Sequence, residues 1–299
     1  LRPAPWIGAL LLPLLWSAQC GTPYRVPLRV QKSVEHQLDL ASGCERLEVL
    51  YHEGLLTVEP GPALTCTVHI EVLAADEAAA ATLLAQATPL LAPTGKNAMQ
   101  VQVTVPPGAS LDALRTTWRV VAPAGSNLVA RTRRGSVVAH GATADLEVLG
   151  GSGVIDVRMN GGSAVLSTTS GSILLSGTYP FADLHTGIGR IDVAMPPAGD
   201  TPTELRLATK SGGVFLDLRP NQAFEFQFRG LTRLVECDPE VRVQWQQVRE
   251  IEGIEYTVGK LGSLLTQPQG VLQMESSELV RVRLASVPDR TAASAENSK

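Results

Sequence analysis

The chain has 299 residues, 44% of them hydrophobic and 18% charged, with a formal net charge of −4. That balance excludes a dominant phosphate-binding surface, so nucleic acid is not an expected partner. Only 4% of residues are aromatic, while 27 are Gly and 20 are Pro, so small aliphatic and β-branched side chains must build the core between many turns. A mainly β fold follows rather than a helical bundle.

The N-terminus reads as a targeting segment over residues 1–24. Arg2 precedes an apolar stretch from Trp6 to Trp16, and small or polar residues lead on to Cys20-Gly21. The stretch is too short to span a bilayer and Pro13 interrupts it, as suits the h-region of a secretory signal. Cys20 follows Ser17-Ala18-Gln19 and is a candidate lipidation residue, although Gln19 and Ser17 depart from the usual lipoprotein pattern. A second address stays open. No acidic residue precedes Glu35, whereas Arg2, Arg25, Arg29 and Lys32 do, which is the bias of a mitochondrial presequence. The expected location is extracytoplasmic, secreted or lipid-anchored at the cell envelope, with the mitochondrion as the alternative. A membrane is expected only through that N-terminal anchor.

The four cysteines, at 20, 44, 66 and 237, form no C-x-x-C pair and none neighbours a histidine at ligand spacing, so no metal site is expected. Cys44 and Cys66 flank a strand–turn–strand segment. They are a candidate disulfide in an exported chain and stay apart in a reducing compartment.

Residues 25–127 read as an N-terminal cap and first coils. Val26–Val30, Leu47–Tyr51, Leu55–Val58 and Cys66–Val72 are strand-like, with His52-Glu53-Gly54 as a turn between the second and third. Ala74–Leu91 carries the one strong helix signal: Asp76 as N-cap, Glu77 in the first turn, many alanines, and Pro89 limiting the far end. Gln100–Val105 alternates as another strand. Val105-Pro-Pro-Gly108, Val121-Ala-Pro-Ala-Gly125 and Met195-Pro-Pro-Ala-Gly199 punctuate strand ends.

Between the second and third of these a repeat begins. Gly135, Gly153, Gly171 and Gly189 follow one another at intervals of 18, and Gly212 comes 23 later, after a Pro-Pro-Ala-Gly insertion. Seven and five residues before each glycine stand Leu128/Ala130, Leu146/Val148, Ala164/Leu166, Ala182/Leu184 and Leu205/Leu207. Two and four after it stand Val137/Ala139, Ile155/Val157, Ile173/Leu175, Ile191/Val193 and Val214/Leu216. All are aliphatic, while the residues between them are mixed, so the alternation has period two and repeats in register. Four inward side chains cannot offset the ordering of eighteen residues, so one coil cannot fold alone and the coils must stack. Residues 128–218 therefore predict a single-stranded β-solenoid, or β-helix, of about five 18-residue coils, with glycine at the bend between two short strands.

After the repeat, Phe224, Phe226 and Phe228 alternate with polar residues as a strand with a bulkier inward face. Glu240–Arg249 and Ile254–Val258 form a hairpin around Glu252-Gly253, and Leu279–Leu284 is a last strand. Residues 219–286 are expected to form a β C-terminal cap that covers the exposed edge of the stack. Residues 287–299 are expected to be a disordered tail.

Catalytic patterns are sparse. No G-x-S-x-G elbow or Walker loop occurs, and the five histidines are scattered. The strongest carboxylates are Asp156 and Asp192, in one outward column with Leu174 between them. Two strand spacings put them about 9.6 Å apart, near the range of inverting glycosidase pairs. Aspartate is also an ordinary outward strand residue, so the expectation is no enzyme and no cofactor. Arg133-Arg134 reads as a solvated corner.

Thr168-Thr-Ser-Gly-Ser-Ile-Leu-Leu175 and Thr209-Lys-Ser-Gly-Gly-Val-Phe-Leu-Asp-Leu218 resemble the bacterial putative-adhesin domain family, a domain of unknown function with Gly-punctuated β repeats. The resemblance covers roughly residues 45–218. Cys237–Gln244 and Tyr256–Lys260 are similar to the tail of its eukaryotic branch. The resemblance implies an exposed β-solenoid with no established reaction, and its partner is expected to be an unknown macromolecule, protein or polysaccharide. A carbohydrate-active β-helix enzyme and an organellar structural protein are the alternatives.

Overall fold

The computed structural model describes residues 30–284 except 41–42, 106–110, 196–202, 220–221 and 263–266, and the backbone alone at 111, 247, 248 and 284. The described chain is mainly β, and its 21 strands join in one hydrogen-bonded sheet that nearly closes on itself.

In chain order the sheet begins with β1 (Val30–Leu38), β2 (Arg46–Pro60) and β3 (Thr65–Ala74), followed by helix α1 (Glu77–Gln86), then β4 (Thr88–Gly95), β5 (Ala98–Thr104) and β6 (Leu114–Ala122). The repeat contributes β7 (Asn127–Ala142), β8 (Asp145–Ser152), β9 (Ile155–Asn160), β10 (Ala164–Ser170), β11 (Ile173–Thr178), β12 (Phe181–Ile188), β13 (Ile191–Ala194), β14 (Thr203–Ser211) and β15 (Val214–Leu218). The last strands are β16 (Ala223–Gly230), β17 (Val235–Cys237), β18 (Arg242–Ile251), β19 (Ile254–Gly262), β20 (Gly270–Ser276) and β21 (Val280–Leu284).

Two parallel ladders cross the repeat. On one face Leu128 pairs with Leu146, Leu146 with Ala164, Ala164 with Ala182 and Ala182 with Leu205. On the other, Val137 pairs with Ile155, Ile155 with Ile173, Ile173 with Ile191 and Ile191 with Val214. These are the columns read from the glycine spacing, and all twenty aliphatic positions are buried.

At the glycine between the faces the chain bends. Gly153, Gly171, Gly189 and Gly212 have φ of +129°, +156°, +149° and +126°. A Cβ at each of them would lie 1.9–2.3 Å from the carbonyl oxygen of the glycine one strand layer earlier. No side chain fits there. Three residues before the bend, buried Thr186 donates its hydroxyl to Gly171 O at 3.1 Å, and Thr209 donates to Gly189 O at 3.4 Å. The corner's carbonyls are thereby hydrogen-bonded in a place water reaches poorly.

The ladders extend beyond the repeat. Leu47 pairs with Leu128 and Leu56 with Val137, so β2 is not two strands joined by a turn. It runs unbroken through His52-Glu53-Gly54, and Gly54 (φ +138°) makes the same bend, with a virtual Cβ 1.8 Å from Thr116 O. At the other end Leu205 pairs with Leu272 and Val214 with Val280.

The ends are closed by bulkier groups. Beside β2, β6 pairs with β3 and β3 with β1, while β5 pairs with β4. Trp118 on β6 is fully buried and donates its indole N–H to Thr116 Oγ1 at 2.9 Å. At the far end β20 pairs with β16, whose Phe224, Phe226 and Phe228 are all buried, and β16 pairs with the β18–β19 hairpin. The hairpin turns at Glu252 (φ +54°) and Gly253 (φ +78°), the two positive values a type I′ turn needs.

The helix is shorter than its alanine-rich pattern predicts. Asp76 caps it by accepting from Ala79 N at 2.7 Å, but it ends at Gln86, and Thr88–Gly95 crosses into the sheet instead. Pro89 and Pro93 lie on β4, which pairs only with β5 among the described strands, so their missing N–H groups leave no ladder bond unmade. Of the three proline-glycine punctuations, residues 123–125 form a turn with Gly125 at φ +81°; most of the other two lies outside the described residues.

Gly171→Ala should therefore cost about 3 kcal/mol, because a backbone carbonyl must move to admit the methyl. Its half-buried neighbour Ser172→Ala should cost less than about 1 kcal/mol. Leu184→Asp, which puts a carboxylate at a site with no exposure, should leave no cooperative transition. Urea unfolding of the three variants measures all of this, and equal costs at 171 and 172 would refute the crowded corner.

Candidate binding groove

Cys20 lies outside the described residues. Cys44 and Cys66 are free thiols. The half-buried Cys44 donates to Arg46 O at 3.3 Å, while Cys66 sits fully buried on β3, opposite Leu38 and Val120. Burial pushes the Cys66 thiol up to about 12 and the Cys237 thiol to about 11.

Asp156 and Asp192 flank Leu174 on neighbouring strands, as the column predicts. Each has its own neighbour: His140 Nε2 lies 3.6 Å from Asp156, and Arg190 pairs with Asp192. Arg190 also lies over the Phe215 ring, 3.7 Å from its centroid. The two carboxylates are thus held apart on an outward face. Arg134 is more than a solvated corner. It pairs with Asp112 and lies 3.4 Å from Glu53 and 3.2 Å from His52 Nε2, while Arg115 holds Glu53 at 3.1 Å.

A well-formed concavity lies elsewhere, on the outward face where β12, β14, β20, β16, β19 and β18 run side by side. It encloses about 430 Å³. Two rows of cross-strand neighbours line it. Asp183, Arg206, Gln273, Gln227 and Val258 form one row; Ala208, Glu275, Arg229, Tyr256 and Arg249 form the other. Alternation dictates both rows, because the inward partners Leu205, Leu207, Leu272, Met274, Phe226 and Phe228 are in the core.

The base of the hairpin wall is anchored by Glu255, whose carboxylate accepts from Thr232 N at 2.8 Å. Its hydrogen bonds with Thr232 hold that carboxyl below the usual range.

Some groove side chains are already engaged. Arg206 pairs with Glu204 at 2.6 Å, and its guanidinium lies 5.6 Å from the Phe181 ring centroid. Arg229 pairs with Glu275 at 3.1 Å and lies 5.5 Å from the Tyr256 centroid. Asp183, Arg249, Gln227 and Gln273 have no side-chain partner among the described residues. A second concavity of about 390 Å³ shares Arg229 and Glu275 and continues past Lys210, Ser277 and Gly253. The two make one path along the face.

Tyr256, Val258 and Lys210 fall in segments that carry the family resemblance, but no residue of the groove belongs to a catalytic or binding motif in the sequence. Arg249 and Tyr256 lie in the hairpin that the sequence predicts, but their place on the same face as Asp183 depends on β20 entering between β14 and β16.

No family model matches the chain, and no curated protein matches it in sequence. Among solved structures, a putative cell adhesion protein from Clostridium sporogenes is similar at 12% identity and TM-score 0.37, over 85% of this chain and 99% of that one. A putative adhesin from Bacteroides fragilis matches at 8% identity and TM-score 0.38, over 85% and 97%. Another from Parabacteroides distasonis matches at 11% and 0.36, over 85% and 97%. At these identities and scores they assign the chain to no family.

Iodoacetamide at about pH 8 should leave Cys66 unmodified in the folded chain and modify it in denaturant, because both burial and a raised pKa suppress its thiolate. Peptide mass spectrometry reads this directly. A Cys66 that resists alkylation in denaturant until a reductant is added would instead be bridged, with Cys44 as the partner to look for.

Proposed function

We propose that the chain is a non-enzymatic, adhesin-like β-solenoid that binds or scaffolds an extended macromolecule along the groove beside its C-terminal hairpin. The observation that carries this reading is the open path lined by Asp183, Arg249, Gln227 and Gln273, whose polar groups have no side-chain partner among the described residues. Unengaged polar side chains on a rigid concave face suit recognition of an outside chain. The described residues include no helix long and apolar enough to cross a membrane.

In this proposal residues 128–218 are five stacked coils. The register of β2 with β7, and of β14–β15 with β20–β21, supports one further coil at each end. Residues 25–127 and 219–286 act as caps around these, with 1–24 as a targeting segment and 287–299 as a tail. The address is extracytoplasmic, with lipidation of Cys20 as one route of attachment. Mass spectrometry of the mature N-terminus tests that address: a lipidated or signal-cleaved end near residue 20 supports it, and cleavage near residue 30 would replace it with an organelle.

Binding is tested with the full chain and a panel of soluble polysaccharides, fibronectin and collagen. At least one should be retained, the double variant Gln227→Ala/Gln273→Ala should lose it, and no new reducing ends should appear. Cleavage abolished by Asp156→Asn or Asp192→Asn would make the protein a carbohydrate-active enzyme. A folded chain that retains none of the panel would end the binding reading.

A further inference from the structure

We infer that the ligand of this groove is an acidic polysaccharide, a chain that presents carboxylates and hydroxyls together. The inference rests on the binding reading above and names its ligand class. Three observations carry it.

Charge comes first. The net charge of the chain is −4, yet the path is lined by Arg206, Arg229, Arg249 and Lys210 against Asp183 and Glu275. Arg249 is exposed, and its guanidinium meets no side-chain carboxylate among the described residues. A guanidinium only donates, so it calls for an acceptor, best a carboxylate held by two parallel hydrogen bonds.

The opposite end makes the opposite demand. Asp183 is half-buried and also without a side-chain partner among the described residues. A carboxylate only accepts, so its ligand must bring donors. A simple polyanion brings none and would be repelled there. A polyhydroxylated chain brings many. Between the two ends, Gln273 and Gln227 are cross-strand neighbours whose amides each donate and accept. Those are the groups a run of hydroxyls can bridge.

The third observation is shape. Asp183 on β12 and Arg249 on β18 are five strand spacings apart through β14, β20, β16 and β19, roughly 24 Å along the sheet. A linear chain lying across the strands can meet both ends. Tyr256, 37% exposed in the wall, adds an aromatic surface against which sugar C–H groups can pack.

The test is calorimetry of the full chain with four probes: oligosaccharides of hyaluronan or alginate, dextran of the same length, poly-glutamate, and a single-stranded oligonucleotide. The uronate oligosaccharide should bind, and binding should weaken with added salt. Arg249→Gln should lower its affinity at least tenfold. Asp183→Asn separates the readings by sign. It should weaken a hydroxyl-bearing ligand several-fold but tighten a plain anion, because it removes both an acceptor and a repelling charge. Poly-glutamate or the oligonucleotide binding as well as the uronate, with Asp183→Asn tightening it, would overturn the polysaccharide and leave a general anion groove. Dextran binding equally well would overturn the acidic part. Both results would leave the binding reading intact. Silence from all four probes, beside retention of a protein in the wider panel, would overturn the inference alone.

Discussion

Everything in this molecule depends on how closely consecutive layers approach at the glycine corner. Gly171 lies against the carbonyl oxygen of Gly153, Gly189 against that of Gly171, and Gly212 against that of Gly189, with no space for a Cβ in any of them. A bend of positive φ, repeated in register, keeps both ladders at hydrogen-bonding distance. A side chain at one corner would wedge two layers apart, and the aliphatic columns on both sides would lose contact above and below. The threonines three residues upstream matter for the same reason: so tight an approach buries carbonyls, and the hydroxyls of Thr186 and Thr209 give those oxygens partners.

That constraint also explains the aromatic poverty of the chain. The two ladders meet at such a corner over a narrow core, and the repeat fills it mostly with Leu, Ile, Val and Ala, with Tyr179 a fully buried ring among them. The other buried rings lie on strands before and after the repeat. Trp118 is buried beside β2 at one end; Phe224, Phe226 and Phe228 are buried on β16 at the other, with Trp245 tilted against Phe226 at a centroid distance of 5.0 Å. Bulky rings there help to exclude water from the ends of the aliphatic columns. The two prolines of β4 serve the same end differently, since an edge strand short of donors is a poor template for a further strand.

Legibility in the sequence followed locality. Each glycine of the repeat has its four aliphatic neighbours within seven residues, so twenty core positions and their register could be written down directly. Gly54 has the same surroundings, Leu47/Val49 before it and Leu56/Val58 after it. It reads as a turn because its stacking partner is Gly135, and four strands and a helix intervene. The helix pattern ran past its true end for a different reason. Alanine and leucine continue beyond Gln86, but Leu90 and Leu91 gain a strand partner in β5, and pairing outweighs intrinsic propensity. The groove was not legible at all. Its rows join residues from β12, β14, β20, β16, β19 and β18, and nothing in the chain between Gly230 and Gly270 announces that the later strand β20 inserts between two earlier ones.

That insertion determines where recognition is possible. Along the repeat, every outward column is bordered by near-identical layers, and its charged side chains tend to pair within the face, as Arg190 does with Asp192 and Arg283 with Asp217. Past β14 the sequence of layers changes: β20 and β16 come from one distant segment, and β19 and β18 follow antiparallel. Side chains there were not selected by an 18-residue period, so unlike groups become neighbours across strands. Arg206 neighbours Gln273, Tyr256 neighbours Arg249, and Asp183 and Arg249 are left without each other. The repeat supplies a frame that must be regular to fold, and the strands after it are free to be irregular. A groove at their junction takes regularity from the first and chemical variety from the second, which is why unpartnered polar side chains of this face collect there.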